Sequence, residues 1–367
     1  LNNRENYDPT GNDSRGKLLL TYLLLFLSLI ALLAVLRLAK SILIPFALAI
    51  FLAYLLYPLV NALTRIKIPY WLAVLLIIIF FWGIFFGAGV IIGSEITSFV
   101  QAIPQYQASL KEYLGGMVSA YSSLVQKFAA ALPGEPVPDQ AAGNALPLIS
   151  RIIGKLFSGI LSIFSLVSDF VMIFFILIFL LAGARNFKKK IIKAWGEDKR
   201  ERTAGIVEAI NEGIGGYIIV RTTINLALAI ILTGIFLIFG IDYAYIWGPL
   251  TGLLNFIPYV GAFLAVIPPI VVALFRYESY WIAVVLLAVI VGIQNIEGNI
   301  ITPFFVGKRV NLNPLAVLLS LILWGFIWGP VGMILATPLT TCFKIFCDHI
   351  EPLKPVGILL GGTAKGG

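Results

Sequence analysis

Apolar residues along this chain do not alternate with polar ones; they run together. Residues 17–36, 41–63 and 69–93 are almost unbroken Leu, Ile, Val, Phe and Ala, and further long runs cover 156–184, 217–239 and 280–301. A run of about 20 apolar residues spans a hydrocarbon core roughly 30 Å thick, and a helix satisfies its own backbone there. Arg37 and Lys40, then Arg65 and Lys67, punctuate the first three runs. Residues 1–16 are polar and read as a mobile tail. The first run lacks a small-residue cleavage site and a second follows closely, so it reads as a retained span and not a signal peptide.

The pattern changes in two places. Between residues 94 and 155, Gln101, Gln105, Gln107, Lys111, Glu112 and Lys127 interrupt the apolar sequence. Leu110, Leu114, Met117 and Tyr121 still recur at helical spacing, and a Pro/Ala/Gly stretch runs from Pro133 to Pro147. This predicts amphipathic helices at the extracytoplasmic surface, the alternative being a loosely structured loop. Between Arg185 and Arg202 lie eight Lys and Arg residues, which the positive-inside rule places in the cytoplasm. Ile206, Val207, Ile210 and Ile214 then form one stripe of an interfacial helix.

Two segments, 243–275 and 311–343, are each 33 residues long, too long for one crossing and too short for two. Each is broken in its middle, the first at Asn255, Pro258 and Gly261, the second at Trp328, Pro330 and Gly332. Val260-Gly261-x-x-Leu264-Ala265 matches Val331-Gly332-x-x-Leu335-Ala336 at an offset of 71, with Pro258 or Pro330 before and Pro268 or Pro338 after. An ordinary span precedes each segment, so the unit of span plus broken segment occurs twice. As re-entrant hairpins, these segments leave Asp242, Arg276 and Glu278 outside and put Lys308, Arg309, Lys344 and Lys354 inside, which suits the positive-inside rule better than two full crossings. The predicted fold is therefore an all-α integral membrane protein. It has about six full spans and two re-entrant helical hairpins, in inverted span-plus-hairpin repeats, a pattern of secondary transporters.

This divides the chain into a tail (1–16), three spans (17–93), an amphipathic extracytoplasmic region (94–155) and a fourth span (156–184). A basic interfacial region (185–216), two span-plus-hairpin units (217–275 and 279–343) and a cytoplasmic C-terminal tail (344–367) follow. Both termini fall in the cytoplasm.

Composition narrows the chemistry. The 367 residues are 60% hydrophobic and 12% charged, far from a soluble domain. The net charge of +8 belongs to cytoplasmic loops beside membrane lipid, not to nucleic-acid binding. There is one histidine, His349, and two cysteines, Cys342 and Cys347, five positions apart and on different helix faces. No HExxH, CxxC or phosphate-loop motif occurs, so neither an enzyme, a metal site, a cofactor nor an ATP-driven pump is expected.

Four blocks resemble one known family. They are Gly248-Pro-Leu-Thr-Gly-Leu-Leu-Asn255-Phe-Ile-Pro258-Tyr-Val-Gly261, Gln294-Asn-Ile-Glu297-Gly-Asn299-Ile-Ile-Thr302-Pro303, Gly307-Lys-Arg-Val-Asn311-Leu-Asn-Pro314-Leu and Trp328-Gly-Pro-Val-Gly332-Met-Ile-Leu-Ala336-x-Pro338. Together they are similar to the autoinducer-2 exporter family, over nearly the whole chain; Thr337 occupies a place that is often apolar there. The resemblance implies a bacterial inner-membrane exporter of a small polar metabolite such as the autoinducer-2 signal used in quorum sensing. It also implies a ring-like homo-oligomer, a pentamer, and an elevator-like motion within each protomer. The family includes members described as sodium–proton antiporters, which stays open as the alternative. A passive oligomeric channel is a third reading.

The residues expected to line a solute or ion pathway are Arg221, Asn225, Asn255, Pro258, Gly261, Gln294, Glu297, Asn299, Trp328, Pro330 and Gly332. An acid inside a membrane is costly, so Glu297 is either a proton or cation site or a structural carboxylate paired with Arg221, Lys308 or Arg309. Asp169, midway along the fourth span, is a second proton-linked candidate or a residue bonded to its own helix turn. Arg221 is expected to run its head to the cytoplasmic interface, with attraction of a solute as the alternative. Backbone groups freed at the two breaks can bind a polar solute without charge.

Overall fold

The computed structural model describes residues 10–131, 170–194, 200–277, 280–306 and 311–362. The Pro133–Pro147 stretch, Asp169, Glu278, Lys308 and Arg309 lie outside the described residues. Among those described, all regular structure is helical. The first helices are α1 (Thr10–Leu38), α2 (Lys40–Arg65), α3 (Tyr70–Ala131), α4 (Phe170–Ala194) and α5 (Arg200–Ile210). After them come α6 (Gly216–Ile238), α7 (Ala244–Leu254), α8 (Val260–Arg276) and α9 (Tyr280–Ile296). The last are α10 (Thr302–Phe305), α11 (Pro314–His349) and α12 (Lys354–Leu360). A π-helical turn, Asn211–Gly215, leads into α6, and a second, Glu297–Ile301, joins α9 to α10.

Among the described residues, five helical stretches are long and apolar enough to cross a membrane: Lys40–Arg65, Tyr70–Phe99, Ala204–Ile238, Tyr280–Phe305 and Pro314–His349. Their outer faces are apolar too. Leu59 on α2, Ile79 on α3, Ile230 on α6 and Phe326 on α11 are all exposed, a surface suited to hydrocarbon and not to water. The composition change at Ser94 brings no break, because α3 continues as one helix to Ala131.

Two of the buried clusters among the described residues show how the helices pack. In one, α2, α3 and α4 bury Ala49, Leu56, Val60, Leu177 and Leu181. In the other, α6 to α9 bury Leu232, Phe236, Trp247 and Leu286. The break in α11 docks on the first helices: Trp328 and Val331 pack against Leu36, Leu43, Ile44 and Phe51, and the Trp328 indole donates to the Leu36 carbonyl at 3.1 Å.

Both broken segments fold back on themselves. After α7, Pro258 cannot donate to a helical ladder, and Tyr259 (φ 64°, ψ −51°) centres a tight γ-turn closed by Val260 N–H to Pro258 O at 2.7 Å. Helix α8 then returns to where α7 began: Arg276 pairs with Asp242, and the Tyr277 hydroxyl donates to the Phe239 carbonyl at 2.5 Å. In α11 the break is Gly329, whose φ of 67° only glycine adopts freely. Trp324 Nε1 donates to Thr340 Oγ1 at 3.2 Å across sixteen residues. A straight helix would hold them about 24 Å apart, so the two arms of α11 lie against each other and its length alone does not make it a crossing. At both folds a glycine permits the close approach. A Cβ on Gly261 would strike the Leu254 carbonyl, and one on Gly332 the Trp324 carbonyl.

Candidate functional site

The buried stripe of α6 runs Tyr217, Ile218, Arg221, Asn225, Leu228 and Leu232, successive positions on one helical face. Two of these are strongly polar, and neither reaches water: Arg221 is 7% exposed and Asn225 2%. The expectation that Arg221 extends to the interface is therefore corrected. Its guanidinium stays inside because partners meet it there. On α9 the buried stripe of Ala283, Leu286 and Ile290 continues to Glu297, which is 5% exposed.

These residues converge. Arg221 Nη1 donates to Glu297 Oε1 at 2.7 Å and to Thr302 Oγ1 at 2.9 Å. Arg221 Nη2 donates to the backbone carbonyl of Asn255. That carbonyl lies just past the end of α7, so the helix break itself supplies an acceptor for a buried cation. The Thr302 hydroxyl donates to Glu297 Oε1 at 2.5 Å, and Asn255 Nδ2 donates to Asn225 Oδ1 at 3.2 Å. A charge on α6 thus meets one at the end of α9 beside the first break. Of the partners anticipated for Glu297, Arg221 meets it, and Lys308 and Arg309 lie outside the described residues.

Several buried polar atoms on α6, α9 and α11 have no hydrogen-bond partner among the described residues. They are Asn225 Nδ2, both amide atoms of Gln294, Thr222 Oγ1 and Thr337 Oγ1. Gln294 precedes Glu297 by three positions and shares its face of α9. Thr337, on the returning arm of α11, lies beside Tyr217 without forming a hydrogen bond by geometry. Buried polar groups are nearly always satisfied by protein, water or ligand, so these neutral donors and acceptors suit a small polar guest. The charges of Arg221 and Glu297 compensate each other.

The other anticipated residues lie elsewhere. Pro258 and Gly261 shape the first break and make no polar contact with the pair. Asn299 is exposed, its amide donating to Asn295 at 3.2 Å. Trp328, Pro330 and Gly332 form the second break; there Trp328 packs on α1 and α2, away from the charges. Thr302 and Thr337 were absent from the candidates. Their signals were Thr302-Pro303 in a family-like block and a hydroxyl at Thr337 where an apolar residue is usual. An apolar groove of about 450 Å³ between α3 and α4, lined by Trp71, Ile78, Trp82 and Phe174, is separate from this cluster. Among the described residues no group of three His, Cys, Asp or Glu could hold a metal ion.

Long lipid-suited helices, folded-back segments and a buried, compensated charge pair together define a multi-pass membrane protein of the transport class. Residues 26–351 match the AI-2E family of transporters, and the chain belongs to that family. A transport protein of Haemophilus influenzae is 33% identical over 91% of this chain and 94% of its own length. The AI-2 transport protein TqsA of Escherichia coli K12 is 29% identical, over 92% and 94%. A transport protein of Borreliella burgdorferi is 27% identical, over 89% and 86%. The protein is thus a transporter and not an enzyme.

Proposed function

We propose that this protein is a secondary transporter that exports a small polar metabolite, an autoinducer-2-like signal, across the bacterial inner membrane. In this reading the two folded-back segments are re-entrant hairpins entering from opposite faces, with both termini cytoplasmic. Each protomer of a homo-oligomer, a pentamer by family resemblance, moves its solute by an elevator-like alternation of access. The observation that carries the reading is the buried Arg221–Glu297 pair at 2.7 Å, together with unpartnered neutral polar atoms on the same helices and at Thr337. Hydrogen-bonding groups of that kind fit a hydroxylated or carbonyl-bearing solute. TqsA, similar over almost its whole length, is named for AI-2 transport, which supports the same substrate class.

Sodium–proton antiport is the second reading, because Glu297 is a carboxylate buried in a span and so able to exchange ions. The test uses proteoliposomes with wild type and Glu297→Gln. We expect wild type to release loaded autoinducer-2 and the variant to do so about tenfold more slowly, the scale of a lost charged hydrogen bond. A pH gradient should drive no sodium flux in either. Sodium flux in wild type that disappears in Glu297→Gln, with no release of autoinducer-2, would establish the antiporter instead.

A further inference from the structure

We infer that Thr302 is a positioning residue that locks the Glu297 carboxylate onto Arg221, and that the π-helical turn between them exists to place it there. The inference rests on the proposed role of that pair in transport. Five positions along an α-helix turn a side chain about 140° away, so Thr302 would face away from Glu297 if α9 simply continued. The turn Glu297–Ile301 instead closes with the Thr302 N–H on the Glu297 carbonyl, an i to i+5 bond. That bond brings the two residues into register on one face. Pro303, which has no N–H of its own, follows at once.

The hydroxyl then has two directed roles. Its hydrogen points to Glu297 Oε1 at 2.5 Å, and its oxygen accepts from Arg221 Nη1 at 2.9 Å. Arg221 Nη1 also reaches the same Oε1 at 2.7 Å, so three groups close a triangle. A hydroxyl held this way stabilises anion and cation together and fixes the rotamer of Glu297. Ordinary packing would need only the methyl group of Thr302.

The test separates positioning from packing and from transport. In membranes of full-length protein, the Glu297 carboxylate stretch is the infrared band lost in Glu297→Gln. Thr302→Val keeps the branched shape and removes the hydroxyl; Thr302→Ser keeps the hydroxyl; Thr302→Ala replaces Thr302→Val if the valine packs badly. We expect the band to shift in Thr302→Val and return in Thr302→Ser. Autoinducer-2 release from proteoliposomes should fall about tenfold in Thr302→Val and recover in Thr302→Ser. An unmoved band in both Thr302→Val and Thr302→Ala overturns the inference. Impaired release in Glu297→Gln beside wild-type release in Thr302→Val would also overturn it, while leaving the pair in its transport role. A shifted band with wild-type release in every variant would keep Thr302 as the positioning residue and remove the pair from the transport pathway.

Discussion

At the scale of single residues, the burial of Arg221 and Glu297 sets the energetics. Removing one member of a buried pair strands the other charge and costs about 3–5 kcal/mol, whereas replacing both by apolar groups is often tolerated. We expect Arg221→Met to lower the unfolding temperature of the purified protein sharply. Arg221→Met with Glu297→Leu should recover most of that stability while autoinducer-2 release stays lost. Equal stability of Arg221→Met and wild type would mean that the pair is not buried as described. The charged members of this site were legible in the sequence, since an arginine or glutamate inside an apolar run stands out. Their pairing was legible only as one of three alternatives, Arg221, Lys308 or Arg309. Arg221 and Glu297 are 76 residues apart, and Lys308 and Arg309 lie much nearer to Glu297 along the chain. Thr302 was hidden for a different reason: helical periodicity puts it on the wrong face, and only the π-turn corrects that.

At the scale of elements, the two folds share a device. Gly261 and Gly332 sit where a Cβ would strike a backbone carbonyl, which cannot move aside as a flexible side chain can. Gly261→Ala and Gly332→Ala should each reduce the yield of monodisperse protein on size exclusion. Gly292→Ala in α9, where the added methyl meets open space, should not. Wild-type behaviour of both hairpin variants would show that the arms do not approach this closely. The shared Val-Gly-x-x-Leu-Ala pattern, preceded in each segment by a proline, made these breaks readable in the sequence. What the pattern did not reveal is that Tyr259, a bulky residue, takes the positive φ at the first turn. A glycine is the usual signal for such geometry, and tyrosine gives none. The unbroken course of α3 past Ser94 was also missed, because polarity marks where a helix leaves an apolar solvent and not where it ends.

At the scale of the whole molecule, the ends of the first folded segment meet through Arg276 and Asp242, and in the proposed hairpin topology both face the outside. In intact cells, cysteines introduced at Asp242 and Arg276 should be labelled from outside, and one at Lys308 should not. Labelling of Lys308→Cys from outside would reverse the proposed hairpin topology. The most direct measurement concerns the buried polar cluster itself. Thr337 has a hydroxyl without a hydrogen-bond partner among the described residues, and Cys342 and Cys347 can be replaced by alanine to give a clean background. In that background Thr337→Cys would be exposed to a small charged thiol reagent, in right-side-out and in everted vesicles, with and without autoinducer-2. We expect modification from both sides, slowed by autoinducer-2, as a site with alternating access requires. Export at the wild-type rate with no modification from either side would contradict it and place the solute path away from the Arg221–Glu297 pair.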